Sequence, residues 1–276
     1  MPFKKLLVVS RPERWVYTLG AYALGLVAGA SESGQVLNLR NFLWALFWLL
    51  PANLLLYGLA ETGRERSGRN DLWRDIGTYT LPFFPLLFVS GRAAVLTIYV
   101  FVITAIVLGP SGRGTKKSPF LVAVSSLVYL LPGLFGYLLA GGGDLLTALF
   151  GAATLWAFAI GLFESVPSLS SARKKRWLKT DVSPYAVTIL SIILIVAAAE
   201  LAKPTLGWTV IAAGDLYTVL MVTALFFIAQ RRAGPLVRLL PLATVFVVII
   251  ILVVVGEHRF GDGDFDFYLT QEIIQR

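Results

Sequence analysis

No cysteine occurs in the 276 residues, and the only histidine is His258. The first absence excludes disulfides, thiolate chemistry, Cys-ligated zinc and iron–sulfur clusters. The second excludes a metal site built on imidazoles, and His258 reads as a solvated loop residue. Charge is scarce as well. Asp, Glu, Lys and Arg make up 14% of the chain, where a soluble domain carries about 25%. Hydrophobic residues reach 57% and the mean hydropathy is +0.76. They lie in long continuous runs, not in the alternating pattern of a transmembrane β-barrel. The composition therefore points to an all-α, polytopic membrane bundle. The net charge of +8 is accounted for by cationic loops on the cytoplasmic side of such a bundle, and no nucleic-acid partner is expected. Lys4, Lys5, Arg11 and Arg14 precede the first run without a small-residue cleavage site, so no cleavable leader is expected.

Nine runs approach the ~20 residues that a helix needs to cross a bilayer core. They fall at about 15–31, 41–59, 76–91, 93–109, 119–140, 145–165, 183–201, 206–230 and 236–255, and prolines interrupt the third. The connections test this count. With nine crossings alternate loops share a side, and nineteen of the 24 Lys and Arg residues then fall on one side. Only Arg40, Arg92, Lys203, Arg259 and Arg276 fall on the other. Without the third run the later basic loops would change sides. The positive-inside rule makes the basic side, with the N-terminus, cytoplasmic. The expectation is an integral, multi-pass protein of the cell membrane: one transmembrane helical domain over 1–256 and an acidic tail over 257–276 on the outer side.

Three basic segments on the cytoplasmic side mix cations with small and hydroxyl residues: ETGRERSGRNDLWRD from position 61, GPSGRGTKKSPF from 109 and ESVPSLSSARKKRWLKTD from 164. Together they would line a cationic bowl suited to the phosphate or diphosphate of a lipid whose tail lies among the helices. The plainer alternative is that they satisfy topology and touch anionic head groups.

SRPERWVYTLGAYALGLVAG at 10–29 resembles the opening helix of the UbiA-type membrane prenyltransferases, in particular their lycopene elongase-like branch. PANLLLYG at 51–58 resembles the second helix of that branch, which leads into an N-D-x-x-D-x-x-x-D motif. GPSGRGTKKSPFLVAVSSLVYLLPGLFGY at 109–137 resembles its next signature, and SVPSLSSARKKR at 165–176 stands where the branch has P-D-x-x-x-D-R. The resemblance runs in order over most of the chain and implies a nine-helix bundle. It implies isoprenyl transfer to a lipophilic acceptor, such as a carotenoid or quinone precursor. In that mechanism two aspartate-rich motifs hold Mg²⁺ ions, which clamp the donor's diphosphate and neutralise it as it leaves.

The motifs are degenerate here. The Asn of the first falls on Ala60 and its three aspartates on Glu61, Arg64 and Gly68. The two aspartates of the second fall on Ser168 and Ala172, with Pro167 and Arg173 remaining, and a further acidic position falls on Val122. Glu61 and Glu65 are the weak metal candidates; Asp71 and Asp75 lie nearby, and a shifted alignment of the first motif would use Asp71. Mg²⁺, the cofactor expected of the family, meets too few hard oxygen ligands. Arg64, Arg113, Lys116 and Arg173 are left as phosphate-binding candidates, with Ser168 beside them. Within the runs, Asn53 lines the central cavity by resemblance, or bonds to a neighbouring helix. Asp215 is a costly mid-run carboxylate that lines the cavity, finds a partner, with Tyr217 a candidate, or stays protonated. Trp15, Trp44, Trp48, Trp156 and Trp208 either shield a carbocation or pack and anchor.

Two readings share this fold. One is a prenyltransferase homologue whose activity the lost aspartates impair. The other is a non-catalytic isoprenoid- or lipid-binding relative, or a partner subunit of an active paralogue. An unrelated transporter would call for inverted repeats or paired broken helices, and neither is evident in the sequence.

Overall fold

Proline, glycine and short polar side chains set several of the helix ends. The computed structural model describes residues 3–35, 38–58, 69–111, 128–143, 151–163, 183–206, 208–229 and 244, and every regular element among them is helical. α1, Phe3–Val9, was not foreseen from the hydropathy. It ends where the Ser10 N–H closes on the Leu6 carbonyl and Arg11 takes a left-handed backbone, φ 52°, ahead of Pro12. α2, Trp15–Ser33, stops at Gly34, whose φ of 69° costs a glycine little. α3, Leu39–Gly58, starts on an Asn38 cap that accepts from the Asn41 N–H. It breaks at Leu50 because Pro51 has no N–H and its ring crowds the preceding turn. The helix resumes over Pro51–Asn53 and widens into a π turn, Leu54–Gly58.

The third run differs from the sequence expectation of 76–91. α4, Arg69–Thr80, begins seven residues earlier, inside the charged stretch taken for a loop. A 3-10 turn, Leu81–Phe83, and α5, Phe84–Phe88, complete the segment, with Pro82 and Pro85 dividing it. Then follow α6, Arg92–Ser111, α7, Leu130–Leu139, α8, Gly151–Phe163, α9, Pro184–Leu206, and α10, Trp208–Ala229. Two of these helices are long and apolar enough to cross a membrane, over Leu39–Gly58 and Tyr185–Pro204. The ninth run, apart from Thr244, and the acidic tail lie outside the described residues.

α2 and α7 run in the same direction. The rings of Tyr17 and Tyr129 meet at one end, 5.8 Å between centroids, and the Ser33 hydroxyl donates to the Ala140 carbonyl at the other. Gly25, Gly29, Gly133 and Gly136 let the two backbones touch. Parallel α2 and α7 require an odd number of traverses between them. α3, the α4–α5 segment and α6 provide three, so the divided segment does reverse the chain.

Two buried clusters hold the bundle. The larger joins α2, α3, α6 and α7 around Trp44, Trp48, Phe101 and Phe135. Trp48 meets Phe101 edge to face at 4.8 Å and Trp44 meets Phe135 at 4.7 Å, a geometry that adds to plain burial. The smaller joins α8, α9 and α10 to the start of α2 through Phe163, Ile195, Tyr217, Met221 and Tyr17.

Candidate functional site

The two ends of the bundle differ. At one, Arg40 donates from Nη1 to the Val89 carbonyl (3.0 Å) and from Nη2 to the Leu139 carbonyl (3.3 Å), and Trp44 Nε1 donates to Ser90 Oγ (3.1 Å). This end gathers the start of α3, the close of α5 and the close of α7, with Arg40 and Arg92 among its described cations. The opposite end gathers Ser10 to Trp15, the π turn of α3, the start of α4 and the start of α7. A Cβ on Gly58 would meet both Val9 and Leu72 within 3.5 Å. The described residues that flank the basic segments 59–68 and 112–127 therefore lie at one end, beside Arg11 and Arg14. From α8, the cluster containing Tyr17 takes only the C-terminal half, and from the start of α9 it takes Val187. The flanks of the third basic segment, 164–182, face the same end.

Of the candidates named from the sequence, Glu61, Arg64, Glu65, Arg113, Lys116, Ser168 and Arg173 lie outside the described residues. Asn53 is fully buried on the short stretch between the proline break and the π turn. Its Nδ2 donates to the Trp48 carbonyl (2.7 Å), the Leu49 carbonyl (3.0 Å) and Thr18 Oγ1 on α2 (2.8 Å). Thr18 Oγ1 in turn has one proton to donate, with the Trp15 and Trp48 carbonyls both 3.1 Å away as acceptors. The amide thus stitches α3 to α2 where the proline weakens the helix. Its Oδ1 is buried without a hydrogen-bond partner among the described residues. Asp215 lies on an exposed face of α10, and Tyr217, the partner considered for it, faces inward and bonds to Thr244.

Four of the five tryptophans named from the sequence pack, and the side chain of Trp208 lies outside the described residues. Trp44 and Trp48 are buried in the larger cluster, Trp156 meets Tyr217 at 5.4 Å, and Trp15 Nε1 donates to the Ser10 carbonyl at 3.1 Å.

A group of phenols at the basic end was not picked out from the sequence. Tyr57 and Tyr129 share a hydroxyl hydrogen bond of 3.0 Å, Tyr17 packs edge-on against Tyr129, and the Arg14 guanidinium stands 5.5 Å from the Tyr57 ring centre. The group borders the smaller buried cluster, to which Tyr17 belongs and against which Tyr129 packs, and places a cation over a π face. Its members are separated by 40 and 72 residues in sequence, so no local motif announces it. Asp75 is buried nearby on α4 and is not free of interactions. Among the described residues no three His, Asp or Glu side chains converge.

Three proteins described as lycopene elongase/hydratase are similar to this chain. That of Haloferax volcanii is 26% identical over 61% of this chain and 61% of its own length. That of Haloarcula japonica is 26% identical over 61% and 63%, and that of Halobacterium salinarum 28% over 62% and 68%. The chain spans about three fifths of the first of these relatives, and the similarity is that of a distant relative. No protein-family model matches the chain. No solved structure matches it.

Proposed function

We propose that this chain is a membrane-embedded isoprenoid-binding protein of the UbiA kind, handling a long polyene, with a head-group end built from cations. One observation carries this reading. The chain is similar to lycopene elongase/hydratases, and its bundle gathers the flanks of all three basic segments at one end. In a membrane that end is cytoplasmic by the positive-inside rule, the N-terminus lies with it, and the acidic tail lies outside. Arg64, Arg113, Lys116 and Arg173 hold diphosphate oxygens, with Ser168 as a further donor. The Arg14–Tyr57–Tyr129 group lies beneath, where head meets tail.

The residues do not fit a two-magnesium site. The matching positions carry Glu61, Arg64, Gly68, Ser168 and Ala172, and Mg²⁺ demands several hard oxygen ligands. No step is routed through magnesium. The loss of those carboxylates favours binding, alone or beside an active paralogous subunit, over efficient prenyl transfer. Fixed cations hold a diphosphate, but ionising an allylic C–O bond draws on the charge that the two metal ions would supply.

The test uses the protein in nanodiscs with labelled geranylgeranyl diphosphate and lycopene. Binding persists in EDTA and weakens in Arg113→Gln and Arg173→Gln, while pyrophosphate release stays at background. Magnesium-dependent release would refute the cationic head-group site, and absence of binding would refute the isoprenoid reading. A companion variant carries Glu61→Asp, Arg64→Asp, Gly68→Asp, Ser168→Asp and Ala172→Asp. It gains magnesium-dependent diphosphate binding; a folded variant that gains none shows the motif positions to be misassigned.

A further inference from the structure

We infer that the outward face of α10 is a docking surface for a transmembrane helix of another protein, one that presents a lysine or arginine to Asp215. Ala212, Asp215, Leu216, Val219 and Val222 form an exposed stripe at helical spacing, with Leu216 41%, Val219 61% and Val222 52% exposed. The reverse face of the same helix is in contact with the fold. Ala213, Tyr217 and Met221 belong to the smaller buried cluster, and Gly214 lies against Ala199 of α9. Two residues along a helix turn the chain by about 200°, so Asp215 points away from Tyr217 and from its partner Thr244.

The apolar members of the stripe are what lipid accepts. The carboxylate is not. Asp215 lies seven residues into α10 from Trp208, about 10 Å along the axis. Its side chain is too short to reach the head groups from that depth. A carboxylate in the hydrocarbon layer is expensive without a cation or donor beside it. Among the described residues no ion pair involves Asp215, and the other exposed charges of the hairpin, Lys203 and Glu200, hold each other at 3.8 Å near the end of α9. The described residues therefore offer no cation to this face. A second copy would bring a second Asp215 and repulsion. Charge complementarity selects a partner helix with a cation at matching depth, a contact worth little in water but more in lipid.

This inference rests on the membrane-spanning part of the proposed function and not on its ligand. The chain has no cysteine, so Val219→Cys places a single thiol on the stripe. The probes are two synthetic poly-leucine transmembrane peptides, one with a lysine at the depth of Asp215 and one with leucine there. Each is titrated by energy transfer against protein labelled at Gly91→Cys, an exposed position off the stripe with nothing within 4 Å of a built Cβ, in proteoliposomes. The lysine peptide binds about tenfold more tightly than the leucine peptide. Asp215→Asn and Asp215→Leu, which remain folded by thermal melt, abolish the preference. Equal affinity for the two peptides overturns the inference and leaves lipid as the cover. A disulfide-linked band of twice the chain mass from Val219→Cys overturns it in favour of a second copy. Labelling of that thiol by a membrane-impermeant maleimide overturns the membrane placement itself, a failure distinct from the other two.

Discussion

Replacing Gly25 by alanine tests the contact between α2 and α7. A Cβ at position 25 would stand 2.6 Å from the Gly133 carbonyl carbon and 2.9 Å from its Cα. Carbon atoms in good contact sit about 3.5–4.0 Å apart, so the two helices must separate by about 1 Å. No rotamer change relieves this, because the obstructing atoms are backbone. The neighbouring positions are as tight. A Cβ on Gly29 would lie 3.0 Å from the Tyr137 carbonyl carbon, and one on Gly136 would lie 2.8 Å from the Leu26 amide nitrogen. Moving α2 outward also loosens the stacked pairs that Tyr22 makes with Trp48 and Phe135. Overpacking of this kind costs about 1–3 kcal/mol. Alanine returns about 1 kcal/mol of helix propensity. The net expectation for Gly25→Ala is a loss of up to about 2 kcal/mol.

Gly77 is the control. It lies inside α4 with nothing within 4 Å of a built Cβ, so Gly77→Ala keeps the propensity gain and is stabilised by about 0.5–1 kcal/mol. Tryptophan fluorescence during thermal unfolding in detergent reads both variants. If Gly25→Ala is stabilised as Gly77→Ala is, the backbone contact between α2 and α7 is not as described.

Arg40→Met removes the donors held by the Val89 and Leu139 carbonyls and lowers the melting temperature, by about 1–3 kcal/mol of lost stability; Arg40→Lys keeps the charge without the planar fork and falls between the two. Asn53→Leu and Thr18→Val remove the two sides of one 2.8 Å bond. A double-mutant cycle on chemical unfolding should give a coupling of about 0.5–1.5 kcal/mol, and independent effects would show that the amide does not tie α3 to α2. Tyr57→Phe and Tyr129→Phe each break the shared hydroxyl bond, so a double-mutant cycle on thermal unfolding is expected to give losses that are less than additive; strictly additive losses would mean that the two hydroxyls do not bond to each other.

The proline-divided third segment shows what charge patterning contributes. Hydropathy is weak there, yet the distribution of Lys and Arg requires a traverse, and the parallel course of α2 and α7 supplies it. The start of α4 was not legible. Its Arg69–Thr80 stretch is polar, and it is helical because Leu72 and Ile76 join the larger cluster from one face. Asn53 was legible as a polar residue on a helix, but its choice of partners was not. Those partners depend on where Pro51 breaks α3 and on how close α2 approaches. The phenol group was invisible for the same reason: a contact across 72 residues leaves no trace in local periodicity.

Composition and charge order by themselves pointed to a helical chain with its basic segments on one side; the described elements are helical, and the flanks of those segments lie at one end. These follow from the cost of burying charge and from helix period, which act residue by residue. Only the tertiary structure decided that Asn53 serves helix packing, that Arg14, Tyr17, Tyr57 and Tyr129 share a corner, and that Asp215 points outward. The direction of a side chain depends on which helix face is packed, and packing is a property of pairs of helices.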